Sequence, residues 1–207
     1  MVNIYTNISR NVTKTWILMS LFFIVVIFLG YFFSIYYGNP NILYFFVIFS
    51  ILMNITSYYF SDRIALSLAG AKPASREEHF VLYTTLENLS ITAGLPMPRV
   101  YVINDPALNA FATGRDKNHA VVAVTSGLLA VLDKTELEGV LAHELSHIGN
   151  RDMLLSTVVV VLVGFISIIS DMFLRHLFWE RSRDNGKGNA VFLIVGIILS
   201  ILAPIFA

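Results

Sequence analysis

Thr135-Glu136-Leu137-Glu138-Gly139-Val140-Leu141-Ala142-His143-Glu144-Leu145-Ser146-His147-Ile148-Gly149 is the stretch on which the reading of this chain turns. Thr135 with Glu138 has the spacing of a capping box and is expected to open a helix, with Gly149 as its stop. On that helix His143 and His147 are one turn apart, so both imidazoles leave the same face and can grip one ion. Neutral imidazole suits Zn²⁺ at about 2.0–2.1 Å, and a catalytic site keeps one position open for water. Glu144 follows His143 by one residue, about 100° further round the axis. From there it can reach water on the metal without ligating the metal, which is the place of a general base in peptide hydrolysis. The competing reading is two unremarkable histidines on an amphipathic helix with a glutamate between them.

Composition narrows what surrounds this helix. The chain has 207 residues, of which 56% are hydrophobic and only 14% charged, with mean hydropathy +0.71. An ordinary soluble domain carries about 25% charged residues, so a wholly soluble or disordered chain is disfavoured. Fourteen Lys and Arg balance fourteen Asp and Glu, so no overall basic field exists to gather nucleic acid, and no nucleic-acid partner is expected. Without cysteine there is no thiolate metal site and no disulfide, and metal binding falls to His and carboxylates.

Working outward, Trp16 to Tyr37 and Ile42 to Phe60 carry no charged side chain, and each is long enough for a hydrocarbon core about 30 Å thick. Separated by Gly38-Asn39-Pro40-Asn41, they are expected to form a membrane hairpin within residues 1–60. A cleaved signal peptide fits less well, since the first run exceeds an h-region of about 7–15 residues. Arg10 and Lys14 precede the hairpin, Arg63, Lys72 and Arg76 follow it, and its tip has no cation. The positive-inside rule therefore puts residues 61–152 in the cytoplasm.

Two further apolar runs, Met153–Leu174 and Ala190–Ala207, make up residues 153–207. If both crossed, Arg175, Arg181, Arg183 and Lys187 would lie outside, against that rule, so they are read as re-entrant, tilted or partly packed on protein. Within 61–152, Ser75 with Glu78 should start a helix that Gly94 ends. Arg99–Ile103 alternates like a strand, and Asn109–Thr113 with Ala120–Thr125 should form a β-hairpin. The fold class is thus an α-helical membrane protein with an inserted cytoplasmic α+β domain.

Four features together resemble the HtpX family of membrane-anchored zinc metalloproteases, related to the CAAX prenyl proteases. They are the two N-terminal runs, Asn109-Ala110-Phe111-Ala112-Thr113-Gly114, Val124-Thr125-Ser126-Gly127-Leu128, and Leu141-Ala142-His143-Glu144-Leu145-Ser146-His147 running into Asn150-Arg151-Asp152. The resemblance covers the chain in order. It implies a zincin-like domain, one catalytic Zn²⁺ and a multi-pass protein of the cell inner membrane. It also implies a stress-response role, with peptides or unfolded membrane proteins as substrates. It further implies that the strand of Asn109, Ala110, Phe111 and Ala112 borders the substrate cleft. An exposed edge strand suits that task because main-chain pairing accepts many sequences, while Phe111 itself is expected to be a core residue.

The family's third zinc ligand, a glutamate in a Glu-aromatic-x-Ala-Asp motif beyond the fourth apolar run, has no counterpart here. The resemblance therefore implies a sequence cut short at Ala207, with an incomplete zinc shell and little activity of its own. After His147 the acids are Asp152, Asp171, Glu180 and Asp184. Asp152 would lie about 140° from His147 on a continued helix, Asp171 reads as a span-end residue, and Glu180 and Asp184 sit among arginines. His79, His119 and His176 are expected to be ordinary histidines. Two rival readings remain, a non-catalytic membrane binding module and a prenyl-protein protease. The latter calls for more spans around a lipid-accommodating chamber. The sequence says nothing of oligomeric state.

Overall fold

Long uncharged runs leave a backbone in lipid no partner but itself, so helices are the expected outcome, and two form. In the computed structural model, which describes the backbone of residues 4–180 and the side chains of 8–167, they are α1 (Ile4–Tyr37) and α2 (Asn41–Tyr59). Ile8–Tyr37 and Asn41–Tyr59 are long and apolar enough to cross a membrane, which extends the first expected run by two turns at its N-terminal end. Phe22, Val26 and Phe33 of α1 are buried, and Phe33 meets Phe46 of α2 at 6.2 Å between ring centroids. Ile17, Ile24, Phe28, Ile48 and Leu52 are exposed, an apolar surface that lipid accommodates and water does not.

After the hairpin come α3 (Ser61–Leu68), β1 (Lys72–Pro73), α4 (Phe80–Ala93), β2 (Arg99–Ile103), β3 (Ala110–Thr113), the 3₁₀ turn Lys117–His119 and β4 (Val121–Thr125). Then follow α5 (Ser126–Val131), α6 (Lys134–Asn150) and α7 (Met153–Glu180). The four strands form one sheet in the order β1-β2-β4-β3. β3 and β4 pair antiparallel, Ala110 opposite Val124 and Thr113 opposite Val121, which is the expected hairpin. β2 runs parallel to β4 and antiparallel to β1, pairings that no local pattern specified.

β4 is central, and every one of its residues is buried. That explains its unbroken apolar run, since a strand covered on both faces has no solvent side to be polar. On one face Val100, Val122 and Val124 pack with Leu82 and Leu86 of α4 and Leu137, Leu141, Leu145 and Ile148 of α6. On the other, Val121 and Ala123 pack with Leu66 of α3, and half-buried Phe111 lies against that cluster. Close packing at the start of β3 depends on Gly127, because a Cβ there would strike the Pro106 carbonyl. Thr125 ties the same loop down by donating to the carbonyls of Ala107 at 2.6 Å and Asn109 at 2.9 Å.

Two helix starts differ from expectation. Ser75 caps only a turn: the Glu78 N–H reaches Ser75 Oγ at 3.4 Å and the His79 N–H reaches the Ser75 carbonyl at 3.0 Å. The helix itself begins at Phe80, close to Leu82, its first fully buried anchor. Residues 76–78 are exposed and have nothing apolar to hold them in a helix. Gly94, with φ 64°, ends the helix as expected.

The chain divides into two compact units, residues 1–158 and 159–207. Of the second, the described part is the continuation of α7. The run Ala190–Ala207, with Asp184, lies outside the described residues, as do the side chains of Asp171, His176 and Glu180.

Candidate active site

Helix α6 carries the site, and its start is the second correction. Asp133, not Thr135, is the cap: its carboxylate accepts the N–H of Thr135 at 2.7 Å and of Glu136 at 2.8 Å, while the Glu136 carboxylate accepts the Asp133 N–H at 2.9 Å. This reciprocal box satisfies orphan donors of the first turn. It lies two residues ahead of the expected one because Asp133 keeps extended geometry, φ −72° and ψ 173°, and Thr135 is already helical.

Leu137, Leu141, Leu145 and Ile148 fix the rotation of α6 by burying one stripe. His143 and His147 therefore emerge on its flank with their Nε2 atoms 3.2 Å apart and their rings at 88°. Glu144 is turned inward and only 8% exposed. Burial pushes its carboxyl above the usual carboxylate range. His147, a hydrogen bond from the Ala112 backbone N–H, and His143 pull the other way, and the charge of Asp152 pushes up again.

β3 packs against α6. β3 pairs with β4 alone and is an edge of the sheet among the described residues. Asn109, which precedes it, is exposed, and its N–H is held by Thr125 Oγ1 at 3.0 Å. Thr113 at the far end is buried and meets Thr157 of α7, Oγ1 to Oγ1, at 2.9 Å. Ala110 and Ala112 pack against the α4–α6 core cluster. The structure thus brings His143, Glu144 and His147 together on α6 with Ala110 and Ala112 on the same side of the sheet, whereas Phe111 packs on the opposite face and Asn109 is held at the Thr125 end of the strand.

Sequence reasoning missed Asp152. The helix ends at Asn150, Arg151 takes the left-handed conformation with φ 55°, and the chain folds back. The Asp152 carboxylate then lies 3.0–3.1 Å from His147 Nδ1, which the 140° estimate for a continued helix did not anticipate. The signal available was Gly149-Asn150, a pair that favours a helix stop. Asn11 of α1 was also missed; its side-chain N–H donates to the Asn150 carbonyl at 3.2 Å, satisfying one of the last carbonyls of α6. Of the histidines expected to be ordinary, His79 precedes α4. His119 contacts the Asp116 carboxylate at 2.8 Å through Nδ1 and Arg115 at 2.7 Å through Nε2.

Two imidazoles with Nε2 atoms 3.2 Å apart, a buried carboxylate on the same helix and a sheet edge packed against that helix make up the candidate site. Comparison with known proteins places the chain in a family. Residues 76–207 match the family described as Peptidase family M48. The chain is 46% identical to "Protease HtpX homolog" of Caldanaerobacter subterraneus subsp. tengcongensis, over 95% of this chain and 68% of that one. It is 45% identical to the protein of the same description from Tropheryma whipplei (strain Twist), over 98% and 69%. It is 40% identical to that from Dictyoglomus turgidum, over 98% and 67%. The chain belongs to peptidase family M48, and it spans about two thirds of the length of these relatives.

Proposed function

We propose that this chain is a zinc-dependent endopeptidase of the cell inner membrane, its active domain facing the cytoplasm, and that it cuts misfolded membrane proteins. The observation that carries the reading is the 3.2 Å separation of the two Nε2 atoms beside buried Glu144. Two nitrogens bound tetrahedrally at about 2.0–2.1 Å lie about 3.4 Å apart, so the pair fits one Zn²⁺ with little movement. When bound, zinc supplies Lewis acidity and makes water a nucleophile near neutral pH.

The remaining chemistry belongs to the chain. Asp152 accepts the Nδ1 proton of His147, which leaves the Nε2 lone pair free as a ligand and holds the ring in place. Glu144 takes the proton of the attacking water and returns it to the departing amine, and its burial favours the protonated form needed for the second step. The edge of β3 pairs with an extended substrate, bringing the scissile carbonyl beside Glu144. The cytoplasmic placement rests on the cations flanking the hairpin and on its uncharged tip. The substrate class rests on the family resemblance.

The donor set supports a second reading. Among the described residues no third His, Asp or Glu joins the pair in a metal-binding group, and a catalytic zinc normally has three protein ligands. On that reading the 207-residue chain holds zinc weakly and serves as a membrane-bound peptide-binding module. Zinc retained after dialysis, and casein cleavage by the reconstituted chain with and without chelator, separate the two. Stoichiometric zinc with chelator-sensitive cleavage supports the enzyme, and peptide binding without either supports the module.

A further inference from the structure

Where the hairpin meets the inserted domain, the loop after β3 folds onto the base of α1 and α2, with the Arg115 guanidinium 5.3 Å from the Tyr59 ring centre. Beneath it is a cavity of about 300 Å³ bordered by Thr15, Trp16, Tyr58, Arg115, Lys117 and Arg151. Three cations line it against one acid, Asp116, whose carboxylate is already taken up by the N–H groups of Asn118 and His119 and by the His119 ring. Arg115 is engaged by His119 and Asp116. Lys117 and Arg151 make no ion pair among the described residues, and both are exposed. Arg151 holds its place in a left-handed conformation that L-residues other than Asn, Asp and Gly rarely adopt.

Trp16 and Tyr58 stack at 5.9 Å and form the wall shared with a second space. That space is an apolar groove of about 570 Å³ along the hairpin, bordered also by Met19, Phe23, Ile51 and Ile55. A cationic pocket at the level of interfacial aromatics, sharing its Trp16–Tyr58 wall with an apolar groove within the span, matches a molecule with an anionic head and a hydrocarbon tail.

We propose that cavity and groove together bind one anionic phospholipid, its headgroup phosphate between Lys117 and Arg151 and one acyl chain along α1 and α2. The proposal rests on the membrane placement of the hairpin. Lysine and arginine suit a phosphodiester because their N–H groups form charge-assisted hydrogen bonds with its oxygens. The lipid would brace the loop that connects β3 to β4, and so the edge strand beside Glu144.

The test uses the full chain with Trp179→Phe, leaving Trp16 as its one tryptophan, in phosphatidylcholine vesicles containing a minor fraction of brominated-chain lipid. Brominated phosphatidylglycerol should quench Trp16 several-fold more than brominated phosphatidylcholine at equal mole fraction. Lys117→Gln with Arg151→Asn, the latter chosen because Asn tolerates the left-handed conformation, should abolish that preference, each charge accounting for roughly fivefold enrichment. Equal quenching by the two lipids in the unmutated pocket would overturn the proposal without reference to any variant. Preference that survives both substitutions would place the lipid elsewhere. Preference lost on adding glycerol 1-phosphate would make free phosphate the ligand. Absence of quenching by either lipid would also overturn it. Resistance to alkaline extraction would then mean a groove filled by protein, and release would mean that the hairpin is not in the bilayer.

Discussion

The Asp152 carboxylate lies 3.0 Å from Nδ1 of His147, and Nε2 of the same ring lies 3.2 Å from Nε2 of His143. One imidazole thus faces an acceptor on one side and the candidate metal position on the other. A carboxylate beside Nδ1 favours the tautomer with its proton there and the lone pair on Nε2. We expect Asp152→Asn to weaken zinc binding about 10–100-fold, the range typical of lost outer-shell carboxylates. Competition with a fluorescent chelator measures it, and unchanged affinity would remove Asp152 from the site.

On the proposed function, Glu144 moves a proton and does not bind metal. Glu144→Gln should therefore lower peptide cleavage by about 10²–10⁴-fold while leaving zinc affinity within a few-fold of the parent. The measurement belongs in a form of the protein whose parent cleaves casein. Full turnover by the variant, with zinc bound, would assign the base elsewhere.

The hairpin orientation is open to labelling, because the chain has no cysteine of its own. A cysteine at Asn39, in the uncharged tip, should react in intact cells with a membrane-impermeant thiol reagent. One at Lys117 should react only after lysis. The opposite pattern would reverse the topology drawn from the flanking cations.

Asp116 gives a pH dependence with a definite sign. Burial pushes its carboxyl up, but hydrogen bonds from His119 and the backbone N–H of Asn118, with the nearby His119 charge, outweigh burial and hold it below the ordinary aspartate value. A carboxyl depressed on folding stabilises above its unfolded pKa, about 3.9, and that contribution disappears as pH falls through the folded value. Asp116→Asn should thus lower the melting temperature at pH 7, and the gap from the parent should close as pH falls below about 4. A gap that stays constant with pH would show that the ionised form is not what stabilises the loop.

Much of this protein was legible before any coordinate. The two uncharged runs had to be helices because lipid offers the backbone no hydrogen-bond partner. The i, i+4 spacing put His143 and His147 on one face by helix geometry alone, and the β3–β4 hairpin followed from two short strand-like segments around a turn-rich loop. Each of these is a local property, fixed within a few residues or by the solvent a segment must occupy.

What the tertiary structure decided is what depends on distant groups or on how one chain reversal closes. The parallel pairing of β2 with β4, the packing of α6 on β3, the Asn11 bond to the end of α6 and the Thr113–Thr157 contact join segments far apart in sequence. Asp152 is near His147 in sequence, yet its role turned on the backbone of Arg151: a continued helix would carry it away, and one left-handed residue brings it back. Periodicity predicts where a side chain points along a regular element. It does not predict where the element stops, since that is settled by which terminal groups find partners in the folded protein.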